Sequence, residues 1–569
     1  MAVDDPRPQQ HGRPLAGQPG EVRWDAAASL PRWVLWAAEA LAVVALALLA
    51  VRVRHPSQLF THQFWLDESW VADSTRASWE QLRLLTASTP IGWTALLRAV
   101  PRWGSAERYR LLPLAFAVAG AVPAWFLGRQ LGRGTREPAD RPGTGWRAVR
   151  HRPSWVRWLG PPAAGLAAVL APTALGYPYL KQYTAEAFTG LLLVALVAWV
   201  ERRWSPLRVG VLAAAALLSF LVANTALFVT AAGFGALALT CLVRRAWQRL
   251  GWVAVAGAVV AVVDARVYRT FVAASNGDAM HRYWRGRYIP STEGWDEAWR
   301  FMAPRAVTAI ESIGFGPWPL ALALLLAGVA ALWRAGVPAA ALVLPILVAE
   351  VVVAGMQGHY PFLELRTSMF LTVLGSVVAA LGVAGLAGLA LRWRGTAVLG
   401  LAVLVGAGAI FLPAAREAAR IPMFDENTRG QIRLVQELRR PGDVVVLGRL
   451  AAYQWAYYGS EKPSFVPASE ASTIRFEVAY PDDPRMVVAK GRAPTFIKEA
   501  MDQVPAGTRR VWLVPSHEEH LVPVWARHAR LHGGRLAAPL AHPCAAFTEA
   551  ERARAGVSLG QCPVLVNFG

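Results

Sequence analysis

Phe64-Trp-Leu-Asp-Glu-Ser-Trp70 places two adjacent carboxylates, Asp67 and Glu68, among aromatic side chains in the loop after the first apolar run. A carboxylate at such a boundary can take a proton from a hydroxyl, provided its pKa is brought toward working pH. Partial burial among Phe64, Trp65 and Trp70 is expected to raise the pKa of Asp67 and make it a better base. A plainer role competes, in which the two acids occupy the first turn of a helix and are favoured there by its dipole.

Other residues with chemical potential lie in three later loops. Gly176-Tyr-Pro-Tyr-Leu-Lys-Gln-Tyr-Thr-Ala-Glu186 holds Lys181, Gln182 and Tyr183. The Lys181 ammonium could pair with a phosphate or with Asp67, or simply snorkel in an aromatic belt. Met280-His-Arg-Tyr-Trp-Arg-Gly-Arg-Tyr288 interleaves cations with rings, and offers Tyr283, Trp284 and Arg285 for stacking on a sugar and clamping an anion, or for anchoring at lipid headgroups. His359-Tyr-Pro-Phe362 carries His359 and Tyr360, and Arg366 follows at the start of a span, where a charge is expensive unless a partner such as phosphate meets it.

Membrane helices must position these loops. Apolar runs near 33–52, 110–128, 158–176, 186–201, 209–224, 226–243, 251–267, 316–332, 337–356, 368–389 and 396–413 read as about eleven spans, each sized for a hydrocarbon core of about 30 Å. Arg129, Arg133, Arg136, Arg141, Arg147, Arg150, Arg152 and Arg157 crowd the loop after the second span, and later even-numbered loops repeat the bias. Positive loops stay in the cytoplasm, so the N-terminus is expected inside. The loops 53–109, 176–186, 268–315 and 357–367 then share the outer face with everything after residue 415. In the first of them Trp70, Trp79, Leu82, Leu85, Trp93, Leu96 and Leu97 have spacings that suit short amphipathic helices lying in the interface, broken at Ser88-Thr-Pro90.

The expected architecture is a polytopic α-helical membrane protein. Residues 1–28 read as a disordered cytoplasmic leader, 29–415 as the transmembrane domain, and 416–569 as a small extracytoplasmic α/β domain, with a turn and then a buried strand over 441–447, another strand over 508–515, and helices near 429–439 and 494–502. The plasma membrane is the expected location. The net charge of +20 does not point to nucleic acid, because the arginines sit where topology needs them. Cys544 and Cys562 in the tail could form a disulfide or remain two buried thiols. No P-loop, GxGxxG before a helix, HExxH or CxxC is present, so nothing supports ATP- or NAD-driven chemistry.

Leu66-Asp-Glu-Ser-Trp70, followed by Thr89-Pro-Ile-Gly-Trp93, resembles the first outer loop of GT-C glycosyltransferases, in pattern the protein O-mannosyltransferases and the lipid A aminoarabinose transferases. Ser105-Ala-Glu-Arg-Tyr-Arg-Leu-Leu112 matches a stretch where that family often has an Arg-Leu pair. Lys181-Gln-Tyr183, and His359-Tyr-Pro-Phe362 with Arg366 and Phe370-Leu371, resemble the second and late outer loops of a bacterial subgroup. The likeness covers about 30–415. It implies a GT-C-like fold and an enzyme that takes a sugar from a polyprenyl-phosphate carrier and passes it, with inversion, to a hydroxyl of a glycan, lipid or protein acceptor. By the same resemblance Asp67 acts as base, Glu68 orients Asp67 or the acceptor, and Lys181 and Arg366 hold the leaving phosphate. Gln182, Tyr183, Tyr283, Trp284, Arg285, His359 and Tyr360 would contact substrate. No match to the metal-binding acids and His of some family members is visible, so a divalent metal has no support, and no other cofactor is implied. The alternatives are a transporter or flippase, for which Glu39, Asp264 and Glu350 are the acids within or near spans, and a scaffold that works through its tail.

Overall fold

The computed structural model describes residues 31–85, 89–101, 104–132, 154–177, 179–273, 278–391, 394–423, 426–468, 474–491, 494–515, 522–557 and 562–568. The leader, Ser88 and the loop arginines from 133 to 152 lie outside the described residues.

The first apolar run is α1 (Arg32–Arg52). The loop behind it is itself helical, with α2 (Pro56–Thr61), α3 (Leu66–Asp73), α4 (Leu82–Leu85) and α5 (Ile91–Ala99), and a 3₁₀ turn at Ala106–Arg110 leads into α6 (Leu111–Ala119) and α7 (Ala121–Gly132). The bundle continues through α8 (Ser154–Leu170), α9 (Pro172–Gly176), α10 (Tyr183–Arg202), α11 (Pro206–Val222), α12 (Ala226–Val243) and α13 (Trp247–Val267). Two helices, α14 (Asp278–Trp284) and α15 (Trp295–Glu311), fill the second long loop before α16 (Trp318–Arg334), α17 (Pro338–Met356), α18 (Met369–Ala390) and α19 (Ala397–Arg420). Among the described residues nine helical stretches are long and apolar enough to cross a membrane, and α11 and α16 are shorter apolar helices. They follow in order the eleven runs expected from the sequence. The last helix overshoots the expected end at 413 and carries Arg416, Glu417 and Arg420 past the apolar stretch.

Burial separates the helices. The most apolar window of α18 is 89% buried and that of α10 78%, against 11% for α1 and for α19, so α10 and α18 form the centre and α1 and α19 face outward. Close approach is built from small residues. A Cβ added at Gly328 of α16 would stand 1.9 Å from the Val378 carbonyl oxygen of α18, and one at Gly382 of α18 would stand 2.2 Å from the Leu324 oxygen of α16. Only glycine lets these two backbones touch, as membrane helix pairs require in the absence of a hydrophobic driving force between them.

The tail folds as α20 (Thr428–Leu438), β1 (Val444–Leu447), α21 (Ala451–Tyr458), β2 (Ser464–Pro467), β3 (Phe476–Ala479), β4 (Met486–Val488), α22 (Pro494–Asp502), β5 (Arg510–Val514), α23 (Val522–Leu531), β6 (Gly534–Leu536), α24 (Glu549–Ala555) and β7 (Val564–Phe568). One sheet has the order β4-β1-β5-β7-β6. β1 pairs in parallel with β4 and β5, while β7 is antiparallel to both β5 and β6. All four residues of β1 are buried, as an unbroken Val-Val-Val-Leu run with parallel neighbours on both sides requires. Cys544 and Cys562 are joined in a disulfide with Cα atoms 5.1 Å apart.

One expectation is corrected. The apolar residues of the 53–109 loop do not lie as a group in the membrane interface. Trp70, Leu85, Trp93 and Leu97 are buried, and Phe64, Trp70, Leu85, Trp93 and Leu97 share one core with Leu450, Tyr453, Trp455 and Tyr457 of the tail. Trp79 alone of the tryptophans in that set stays out, at 71% exposure. The amphipathic spacing was real, but the apolar partner is the C-terminal domain, which removes more apolar surface from water than a headgroup layer could.

Candidate functional site

Trp65 precedes α3 with an extended backbone, and the helix opens on Leu66, Asp67 and Glu68, so both acids stand in its first turn. Three contacts from the tail fix this start. Glu426 accepts the Leu66 backbone N–H at 3.0 Å and the Gln454 amide at 2.6 Å. The Tyr458 hydroxyl accepts the Phe64 N–H at 2.7 Å. The Gln63 side chain accepts the Arg429 N–H at 2.7 Å.

The two acids diverge. Glu68 is fully buried, and its carboxylate takes Nε and Nη2 of Arg110 at 2.8 and 2.5 Å. It also accepts the Leu180 N–H at 2.7 Å. Arg110 uses its remaining donors on the carbonyls of Leu59, His62 and Gln63, at 2.9, 2.5 and 3.1 Å. This fork is charge-assisted, bidentate and fully buried, and it ties the 53–109 loop, the entry to α6 and the 176–186 loop to one another. The Glu68 carboxylate is thus engaged by Arg110 and by the Leu180 N–H, next to Asp67 in the chain and to the residue before Lys181.

Asp67 faces cations from two other loops. Its Oδ2 lies 3.2 Å from Lys181 Nζ and 3.6 Å from Arg366 Nη1. The side chains are 23% exposed for Asp67, 10% for Lys181 and 21% for Arg366, so the cluster is shielded but reachable. Lys181 Nζ also sits 4.3 Å from the Trp70 ring centre, a cation–π contact from the same helix as Asp67. Tyr283 lies within electrostatic reach of Arg366, and Trp284 packs edge-on against the Tyr283 ring at 4.9 Å.

The electrostatics correct the expectation for Asp67. Burial pushes its pKa up, but Lys181 and Arg366 together outweigh burial and hold it below the usual carboxylate value. The Lys181 ammonium is drawn down by burial and by Arg366, against the pull of Asp67. Burial also disfavours charge on Arg366, yet Tyr183 and Asp67 overcome it and leave the guanidinium fully charged. One carboxylate between two cations leaves a partly buried net positive charge, which an anion would complete.

The remaining expected residues divide. Tyr183 is buried and within electrostatic reach of both Arg366 and Asp67. Gln182 is buried and donates to Glu186, one turn along α10. Tyr360 donates to the Thr367 carbonyl at 2.7 Å, bracing the loop that carries Arg366. That loop is also fastened to the 285–289 stretch by the Phe362 N–H on the Arg287 carbonyl at 2.9 Å and by an Arg287–Glu364 ion pair at 2.9 Å. Arg285 and His359 stand exposed, outside the Asp67 contacts. Among the described residues no group of three or more His, Cys, Asp or Glu side chains could hold a metal ion.

Sequence reasoning missed the supports. Arg110 lay in a stretch singled out only for its Arg-Leu pair. Glu107, fully buried, pairs with Arg429 at 2.8 Å and accepts from Tyr458 at 3.0 Å. Gln454 inside Ala451-Ala-Tyr-Gln-Trp-Ala-Tyr-Tyr458 was the available signal, since an amide in so apolar a helix needs a partner.

The structure of the archaeal oligosaccharyltransferase AglB from Archaeoglobus fulgidus, in complex with an inhibitory peptide and a dolichol-phosphate, superposes with a TM-score of 0.50 over 90% of this chain and 73% of that one. The chain has a GT-C fold. Sequence identity is 11%, so the likeness is one of architecture. Two further structures of the A. fulgidus oligosaccharyltransferase, in the apo form and tethered to an acceptor peptide, give 0.48 and 0.49 at the same identity, covering 87% and 88% of this chain and 72% of the other. No protein-family model matches, and no curated protein does. With nine helices among the described residues long and apolar enough to cross a membrane, the chain is a multi-pass membrane protein with a C-terminal α/β domain.

Proposed function

We propose that this protein is an inverting glycosyltransferase that moves a sugar from a polyprenyl-phosphate carrier to an acceptor hydroxyl at the outer face of the membrane. The observation that carries the reading is the Asp67–Lys181–Arg366 cluster, in which three separate outer loops bring one carboxylate and two cations together. The GT-C neighbour was solved with a dolichol-phosphate, which is compatible with a lipid-phosphate donor here.

The chemistry follows from the charges. The donor phosphate enters against Lys181 and Arg366. Both cations then share their field with the phosphate, and their hold on Asp67 weakens. Burial remains, so the Asp67 pKa rises when donor binds. Asp67 takes the acceptor proton as the acceptor oxygen bonds to the anomeric carbon from the face opposite the phosphate. The bond from the anomeric carbon to the phosphate oxygen breaks, and the electron pair leaves on that oxygen, where Lys181 and Arg366 stabilise it. Coupling the base to donor occupancy keeps the site inactive toward stray hydroxyls.

Purified protein should release polyprenyl phosphate from one member of a donor panel of lipid-linked mannose, arabinose, glucose and galactose. Turnover of none of them by active-site-intact protein would contradict the proposal. The proposal carries a topology with the N-terminus inside and the tail outside, supported by the arginine-rich even-numbered loops. Protease added to intact spheroplasts should cut the tail and spare the N-terminus.

A further inference from the structure

Both ends of α15 are fastened to the same end of the helical bundle. Ahead of it, the Ile289 N–H donates to the Gly355 carbonyl at 3.1 Å and Ser291 Oγ donates to the Met356 carbonyl at 2.9 Å, and Met356 is the last residue of α17. Behind it, the Ile313 carbonyl accepts from Ser376 Oγ of α18 at 2.9 Å, and the chain enters α16 at Trp318. Only the loop 357–368 separates the end of α17 from the start of α18, so both anchors lie on one side of the bundle. A helix of 17 residues is about 25 Å long. α15 therefore runs across that end of the bundle rather than away from it.

At about 100° per residue α15 divides into distinct faces. Ala298, Met302 and Ala309 form a stripe buried against the bundle. Asp296, Arg300, Thr308 and Glu311 lie on the opposite side, and all four are exposed. On one flank Phe301 packs against Phe362 of the loop that carries Arg366, with ring centres 6.5 Å apart. The other flank has no such cover. Trp295, Trp299, Ala306 and Ile310 fall there within a sector of about 60°. Trp295 is 65% exposed and Trp299 59%, and Trp318 and Leu320, also exposed, carry the apolar surface on to α16.

We propose that α15 lies in the headgroup layer of the membrane, with Trp295, Trp299 and Ile310 against lipid and the face of Asp296 and Arg300 toward water. An indole has an apolar body and one N–H donor, which suits the boundary between acyl chains and headgroups. An apolar flank between a protein-packed stripe and a charged face is the arrangement that an in-plane helix needs. Lipid is the occupant favoured here because the flank continues on to α16, an apolar helix whose Leu326 is also exposed. This seating concerns a surface apart from the Asp67 cluster and does not depend on the transfer reaction.

Site-directed spin labelling of the full chain in liposomes tests this. Cys241 is buried and Cys544 and Cys562 are bridged, so an introduced exposed cysteine takes the label selectively. Labels on Trp295→Cys, Trp299→Cys and Ile310→Cys should collide readily with oxygen and poorly with a water-soluble nickel chelate. Labels on Asp296→Cys, Arg300→Cys and Thr308→Cys should show the reverse, so that access alternates with the helical period. Ala306→Cys replaces any member of the first set that does not fold. Nickel access at 295 and 299 equal to that at 300 would overturn the assignment and leave the two rings as a water-facing platform for an acceptor or a partner protein. Exclusion of both reagents at 295 and 299 would overturn it as well, since the flank would then be covered by protein.

Discussion

Glu426 of the C-terminal domain accepts the backbone N–H of Leu66 at 3.0 Å, and Leu66 is the residue immediately before Asp67. The same Glu426 oxygen holds Gln454 at 2.6 Å, so α21 and the first turn of α3 are pinned through one carboxylate. The tail thus sets where the proposed base stands. Glu426→Ala leaves a buried N–H and a buried amide without this acceptor, at a cost of about 1–3 kcal/mol. Turnover should fall while donor KM changes little, since Lys181 and Arg366 lie on other elements. A variant with parent-like turnover would mean that the tail does not position the site.

The two cations should separate from the base in kinetics. Lys181→Ala and Arg366→Ala each remove a charge-assisted contact of about 1.5–3 kcal/mol, and donor KM should rise roughly tenfold to a hundredfold. Arg366→Lys should recover part of the loss, because a point charge replaces the fork. If neither alanine variant changes donor binding or turnover, the phosphate is held elsewhere, and Arg282, Arg285 and Arg287 become the candidates.

Glu68 and Arg110 should behave as a structural unit. Removing one partner strands a buried charge and is expected to cost about 3–5 kcal/mol, whereas replacing both with apolar residues can be nearly neutral. Glu68→Met alone should lower Tm strongly, and Glu68→Met with Arg110→Met should recover most of it. A single variant with normal Tm and no activity would instead put Glu68 in the chemistry.

Asp73 closes α3 fully buried, with neither carboxyl oxygen partnered among the described residues, and burial raises its pKa well above the usual value in spite of Arg76. The folded state holds this proton more tightly than the unfolded chain does. Its contribution to stability is therefore present below the unfolded pKa of about 3.9 and is lost as pH rises through the folded pKa. Asp73→Asn should raise Tm at neutral pH and flatten the decline on the alkaline side. An unchanged Tm-versus-pH curve would show that Asp73 is not carrying that proton.

The helices were legible because a membrane leaves little choice: eleven apolar runs became eleven apolar helices in the same order. The loop residues Asp67, Lys181 and Arg366 were legible because acids and cations are scarce among the rings beside a span, and each stands out by type. Two things were not legible. The bidentate fork of Arg110 on Glu68 depends on a pairing across 42 positions, so the sequence offered Glu68 as a group orienting Asp67 or the acceptor without showing what holds it. The burial of Trp70 and Trp93 against Tyr453 and Trp455 depends on a domain more than 350 residues away, so a local pattern could show an apolar face but not what covers it. The direction of the Asp67 shift failed although a Lys181–Asp67 pair was one of the readings, because burial was readable locally and the convergence of Lys181 and Arg366 on one carboxylate oxygen was not.

The base assignment is tested most directly by single-turnover transfer from a polyprenyl-phosphate sugar, comparing the parent with Asp67→Asn and reading both rate and anomeric configuration by NMR. Asn keeps the size of Asp and loses its basicity. The parent should give product of inverted configuration, and the variant should bind donor at least as tightly, since Lys181 and Arg366 lose their internal anion, yet transfer about 10²–10⁴-fold more slowly. Transfer by Asp67→Asn at near the parent rate, or product of retained configuration, would contradict a mechanism in which Asp67 is the general base of a direct displacement.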